Sequence, residues 1–135
     1  GCDSSRLIPI FAAALVNDGA AVVRAAIAEH LPALTGHVPE EQLATFAEKL
    51  IQDPDADVRK STIPFYVSHS IKQGQGDDNP LFRKLAGDPS STVRIAFLKG
   101  VMLSSNTELQ LAYVQKFIVD PDPSVRQAAF DAAGI

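Results

Sequence analysis

The stretch Ile51–Ser61, "IQDPDADVRKS", places Asp53 six residues and Pro54 five residues ahead of Arg59. Asp-Pro-Asp reads as a turn or as a metal loop, and Val58-Arg59 reads as the opening of a helix. The phrase recurs. Val-Arg pairs stand at Val23-Arg24, Val58-Arg59, Val93-Arg94 and Val125-Arg126. Six residues before each Arg is an Asp: Asp18, Asp53, Asp88 and Asp120. Gly19, Pro54, Pro89 or Pro121 follows it, and successive arginines are 35, 35 and 32 residues apart. A period in this range is the signature of stacked supersecondary units.

The flanks identify the unit. Ahead of each Asp lies an apolar stretch, at 7–16, 43–51, 81–86 and 109–119. Leu43, Phe46, Ala47, Leu50 and Ile51 recur at helical steps of three and four. Behind each Asp a second helical face follows, as in Val23, Ala26, Ile27, Leu31 and Leu34. No alternation is long enough to build a sheet. Polar, turn-rich segments separate the units: "TGHVPE" from Thr35, "KQGQGDDNP" from Lys72 and "SSNTE" from Ser104. The chain is therefore expected to be all-α, with four helical hairpins over about 4–36, 37–73, 77–104 and 105–135.

The repeated phrase has a local mechanism. Pro54 cannot continue the helix that Asp53 ends, and Asp55 is placed to cap the next one. Ser90 and Asp122 hold the same place, with Pro123 at the favoured first helical position. Ala20 holds it in the first repeat, where the weakest cap is expected. Pro64 should bend or locally break its helix, and Pro32 should do the same late in the first repeat.

The pattern "LIPIFAAALVNDGAAVVRAAIAEHL", with Pro9 in its first helix, resembles a HEAT repeat, and "DPDADVRKS" and "DPDPSVRQAAFDAAG" resemble its turn and second helix. The resemblance covers the whole chain and implies a right-handed α-α superhelix. It also implies an inter-repeat ladder of Asp18, Asp53, Asp88 and Asp120 with Arg24, Arg59, Arg94 and Arg126, since an Arg fork suits a carboxylate. Only the first unit has the first-helix Pro. Within the family, "EEQLATFAEKLIQDPDADVRKSTI" looks most like the scaffold subunit of a phosphatase 2A type holoenzyme.

Composition narrows function. Apolar residues make up 46% and charged residues 21% of 135, which fits one globular domain with a core and argues against disorder. A net charge of −4 disfavours a partner that is nucleic acid, which needs a basic face. No apolar run approaches the roughly 18 residues of a membrane span. One cysteine and three histidines are too few soft ligands for zinc. "DPDAD" at Asp53–Asp57 lacks the central Gly and distal Glu of a calcium loop, so no metal is expected. No nucleophile elbow and no phosphate-cradling loop is present, so neither catalysis nor a cofactor is expected. "GCDSS" resembles the cleavage point of a bacterial lipoprotein, but no hydrophobic leader accompanies it. A cytoplasmic location is the expectation, with lipid anchoring through Cys2 the alternative.

What remains is surface. Counted from the Val of each second helix, positions +3, +4, +8 and +11 should face the core and +2, +6 and +9 should face out. Second helices line the concave groove of HEAT solenoids, so the resemblance implies partner contacts at Lys60, Pro64, Val67, Ile95, Lys99 and Met102. The expected activity is that of a protein-binding scaffold or regulatory subunit. Two other activities carried by HEAT-like chains are a bilin lyase or chaperone, needing a tetrapyrrole-sized groove, and a DNA glycosylase. The latter needs a basic, aromatic face that a chain with no Trp and two Tyr does not offer. Solenoids need polar capping repeats, and neither end looks like one. Phe130 should sit on an open edge, so the chain is expected to be part of a longer solenoid or to associate end to end.

Overall fold

The structure, a computed structural model, describes residues 4–134. Cys2 lies outside them. Among the described residues the chain is all-helical: α1 (Ser4–Val16), α2 (Ala21–His30), a 3-10 turn (Leu31–Leu34), α3 (Glu40–Leu50), α4 (Ala56–Lys72), α5 (Pro80–Ala86), α6 (Ser91–Met102), α7 (Thr107–Phe117) and α8 (Pro123–Ala132). Two compact units divide it, one up to Tyr66 and one from Val67.

Several helix starts have an identifiable cause. The Asp55 carboxylate accepts the N–H groups of Asp57 and Val58 at 2.9 and 3.2 Å, which caps α4. Asp122 accepts from Ser124 N–H at 2.8 Å ahead of α8, with Pro123 in the first turn. The Ser124 hydroxyl and N–H hold the Asp122 carboxyl below its ordinary range. Asn79 and Asn106 cap α5 and α7 in the same way. Glu40 and Glu41 at the start of α3 and Lys49 at its end suit the helix dipole.

Two expectations about these helices need correction. Ser90 occupies the cap position of α6, but its hydroxyl meets Thr92 Oγ1 at 2.8 Å and caps nothing. The first repeat is therefore not alone in lacking a side-chain cap, although Ala20 lacks one as expected. Nor does Pro64 break its helix, because α4 runs without interruption through it. Pro64 is exposed, so the Lys60 carbonyl loses its usual donor on a face open to solvent. Pro32 does act as a stop, since α2 ends at His30 and gives way to the 3-10 turn.

All four turns share one construction. The Asp Oδ1 accepts the backbone N–H two residues on: Asp18 from Ala20 at 2.8 Å, Asp53 from Asp55 at 2.9 Å, Asp88 from Ser90 at 2.9 Å and Asp120 from Asp122 at 2.8 Å. The Arg six residues later reaches back. Its Nη1 donates to the Asp carbonyl, at 2.8 Å from Arg24, 2.9 Å from Arg59, 2.6 Å from Arg94 and 2.7 Å from Arg126. A carbonyl at a helix end has no partner within its own helix, and the guanidinium supplies one.

The same guanidinium has two nitrogens to spare. In the first unit Arg24 Nε and Nη2 grip both oxygens of Asp53 at 2.7 and 3.1 Å. In the second unit Arg94 grips Asp120 at 3.0 and 3.1 Å. Asp53 and Asp120 are largely buried. Burial pushes the Asp53 carboxyl up, but the Arg24 hydrogen bonds, the Asp55 N–H and the charges of Arg24 and Arg59 outweigh it and hold it below its usual range. The hydrogen bond that Arg24 donates to Asp53 in turn raises the Arg24 pKa.

The cores are built around these turns. In the first unit α1 packs on α2 and α3, and α2 packs on α3. Ala12, Val16, Ile27, Leu31, Phe46 and Leu50 are buried there. In the second unit α5 packs on α6, α6 on α7 and α8, and α7 on α8. Phe97 centres that core, edge-on to Phe82 at 5.5 Å, Tyr113 at 4.9 Å and Phe117 at 6.5 Å between ring centroids. The Tyr113 hydroxyl donates to Asp77 Oδ1 at 3.0 Å, and burial, with Asp77 beside it, pushes its pKa up.

Two outcomes follow from this construction. Phe97→Ala removes the central ring and should cost about 3–5 kcal/mol in urea unfolding followed by circular dichroism. Asp53→Asn keeps the acceptor for Asp55 N–H and removes the charge opposite Arg24, which should cost about 1–2 kcal/mol at neutral pH. The folded pKa of Asp53 lies below its unfolded value of about 3.9, so this stability is full above that value and is lost as pH falls through the folded one. The gap between the two proteins should therefore narrow as pH falls below the unfolded value and close below the folded one.

Candidate partner-binding surfaces

The residues singled out for partner contact lie on α4 and α6. Lys60 and Pro64 are exposed on the first half of α4, and Lys99 is exposed on α6. Ile95 and Met102 are half-buried on α6. Val67 is not a surface residue: it is 1% exposed. The assumed helical phase was off by part of a turn. Positions +5, Ile63 and Leu98, are buried, while positions +3, Ser61 and Ala96, are only half-buried. At 3.6 residues per turn the buried arc is therefore rotated toward +5. On α4 it is wide enough to take in +9, because Val58, Thr62, Ile63, Tyr66, Val67 and Ser70 are all buried.

The ladder residues lie where the turns place them. Asp53, Asp88 and Asp120 are buried, and Asp18 is partly exposed. Arg24 and Arg94 bind carboxylates and turn carbonyls together. Arg59 and Arg126 bind the carbonyls of their own turns. That second role, a six-residue reach back to a carbonyl, was missed from sequence although the constant Asp-to-Arg spacing is its signal.

In the first unit a groove of about 440 Å³ opens along α2 and the first half of α4. Ala25, Ala28, Pro32, Pro64 and Phe65 give it an apolar floor, and Glu29, Asp57, Lys60 and Ser61 give it polar walls. The Ser61 hydroxyl donates to Glu29 Oε1 at 3.4 Å, tying the two helices across one end. Asp57 and Ser61 were missed from sequence, although they stand three residues before Lys60 and Pro64 on the same helix face, and Phe65, four residues after Ser61, was missed with them.

The second unit carries a smaller, more polar groove of about 290 Å³ between the 73–79 loop and the start of α7. Asp77, Asp78 and Glu108 line it, and Asp77 already accepts from Tyr113. No cluster of three or more His, Cys, Asp or Glu with metal-binding geometry occurs among the described residues. None of the described helices is long and apolar enough to cross a membrane. The chain matches no protein-family model, no curated protein and no solved structure with which it was compared.

Pro64 sets up a trade between stability and surface. Pro64→Ala restores a donor to the interior of α4, and should raise stability to urea by up to about 3 kcal/mol. The same change removes the ring from the groove lining.

Proposed function

We propose that the chain is a HEAT-like α-solenoid, a right-handed superhelix of four hairpins, that works as a non-catalytic scaffold for a protein partner. The turn construction that recurs at Asp18, Asp53, Asp88 and Asp120 supports the repeat architecture. The partner contact is the groove of α2 and α4, and the observation that carries it is its chemistry: apolar residues flanked by Glu29, Asp57 and Lys60. A small apolar depression with a charged rim is the ordinary anatomy of a protein contact. It suits a peptide segment that inserts one apolar side chain and sets a basic group against the two carboxylates. Lys99, Ile95 and Met102 on α6 offer a second contact of similar composition.

Site-specific photocrosslinking tests this directly. A photoreactive residue at Pro64 should capture a partner that one at Glu48, exposed on α3, does not. Asp57→Lys should weaken the captured complex by about tenfold, or about 1.4 kcal/mol. Equal capture from both positions, or no change with Asp57→Lys, would remove the groove from consideration.

A further inference from the structure

The four turns differ at one nitrogen. In each, the Asp Oδ1 accepts the N–H two residues on, and the ring which that bond closes contains the nitrogen of the residue between. After Asp53, Asp88 and Asp120 this nitrogen belongs to Pro54, Pro89 and Pro121 and carries no hydrogen. After Asp18 it belongs to Gly19 and is an ordinary amide N–H. The Gly19 N–H makes no hydrogen bond among the described residues. No other Asp or Asn of the chain precedes a glycine.

The difference is chemical as well as conformational. An amide nitrogen can attack the carboxyl carbon of the Asp before it, because the product is an unstrained five-membered imide. The nitrogen must give up its hydrogen, which proline lacks, and a Cβ on its own residue hinders the approach, which glycine lacks. The bond from Ala20 N–H holds the Asp18 carboxyl folded back along the Asp18-Gly19 peptide, at 2.8 Å from its donor.

We propose that Asp18-Gly19 is a site of spontaneous aspartate isomerisation, and that proline closes the same reaction in the other three turns. Gly19 N forms a bond to Asp18 Cγ, and the carboxyl hydroxyl leaves with the Gly19 amide hydrogen as water. Water then adds to either carbonyl of the imide. Addition at Cγ restores Asp18. Addition at the main-chain carbon gives isoaspartate, whose chain runs through Cβ and Cγ. Mass is unchanged, and no oxidant or cofactor takes part. The product lengthens the backbone by one methylene. The carbonyl that accepts Arg24 Nη1 at 2.8 Å becomes part of a free carboxylate, and the carboxyl that accepts Ala20 N–H becomes the peptide link. Both bonds that define the turn lose their geometry, so the joint between α1 and α2 loosens.

Prolonged incubation of the folded protein in mildly acidic and in neutral buffer tests this. Tryptic peptides are then mapped with fragmentation that separates aspartate from isoaspartate, and the urea-unfolded chain serves as the control for detection. Isoaspartate should accumulate at Asp18 and not at Asp53, Asp88 or Asp120. Gly19→Pro should abolish it. That change costs no hydrogen bond, and Gly19 does not stand at positive φ, so the turn should keep its form. The aged protein should show a lower urea midpoint than the fresh one, and aged Gly19→Pro should not. A folded protein without isoaspartate at Asp18, equal amounts at the proline turns, isoaspartate that survives Gly19→Pro, or a midpoint that ignores its formation would overturn the proposal.

Discussion

The structure depends on what one guanidinium can do at once. Nη1 of each repeated Arg closes the turn behind it by binding the carbonyl of an Asp six residues back. In Arg24 and Arg94, Nε and Nη2 also bind the carboxylate of the following repeat. A planar fork with five N–H donors can serve both acceptors in one conformation, and a lysine ammonium cannot. The acceptor is equally divided. Each Asp gives its carbonyl to its own Arg and Oδ1 to the backbone of its turn, so Asp53 and Asp120 are buried charges with both carboxylate oxygens hydrogen-bonded. Burial of a carboxylate is tolerable only on those terms.

This constraint sets what the rest of the sequence is free to do. The turn fixes the phase at which each second helix leaves, and so decides which residues are buried. On α4 the buried arc covers Val58 to Ser70 broadly enough to take in Val67, and it leaves Asp57, Lys60 and Pro64 facing out. Pro64 is tolerated in mid-helix because it falls on that outward arc. The groove with α2 is the consequence: side chains that no packing demand controls, set around a floor of Ala and Pro too small to fill it. Surface of that kind can be given over to recognition without disturbing the turns.

Cap chemistry shows how finely local signals need to be read. Asp55 and Asp122 cap their helices, as their place before Val-Arg implies. Ser90 has the same place and a capping residue type, yet its hydroxyl turns to Thr92. A serine hydroxyl has several neighbours within reach, and the choice among them depends on side-chain positions that no spacing rule encodes. Asn79 and Asn106 cap α5 and α7 from segments that read only as polar connections. The signal was there, a polar residue just ahead of an apolar periodic run, but many turn residues satisfy it.

The sequence by itself determined that the chain is helical, where its turns fall, and which eight charged residues build them. Those properties follow from local chemistry: helical periodicity, a proline that stops a helix, an Asp and an Arg at constant spacing. Only the tertiary structure decided which Arg nitrogens serve the turn and which serve the neighbour, that Val67 is interior, and that Glu29 and Ser61 meet across the groove. Burial depends on what packs on both flanks of a helix, and periodicity records only that one face is apolar. A rotation by part of a turn leaves the sequence pattern nearly unchanged, yet it moves a residue from the surface into the core.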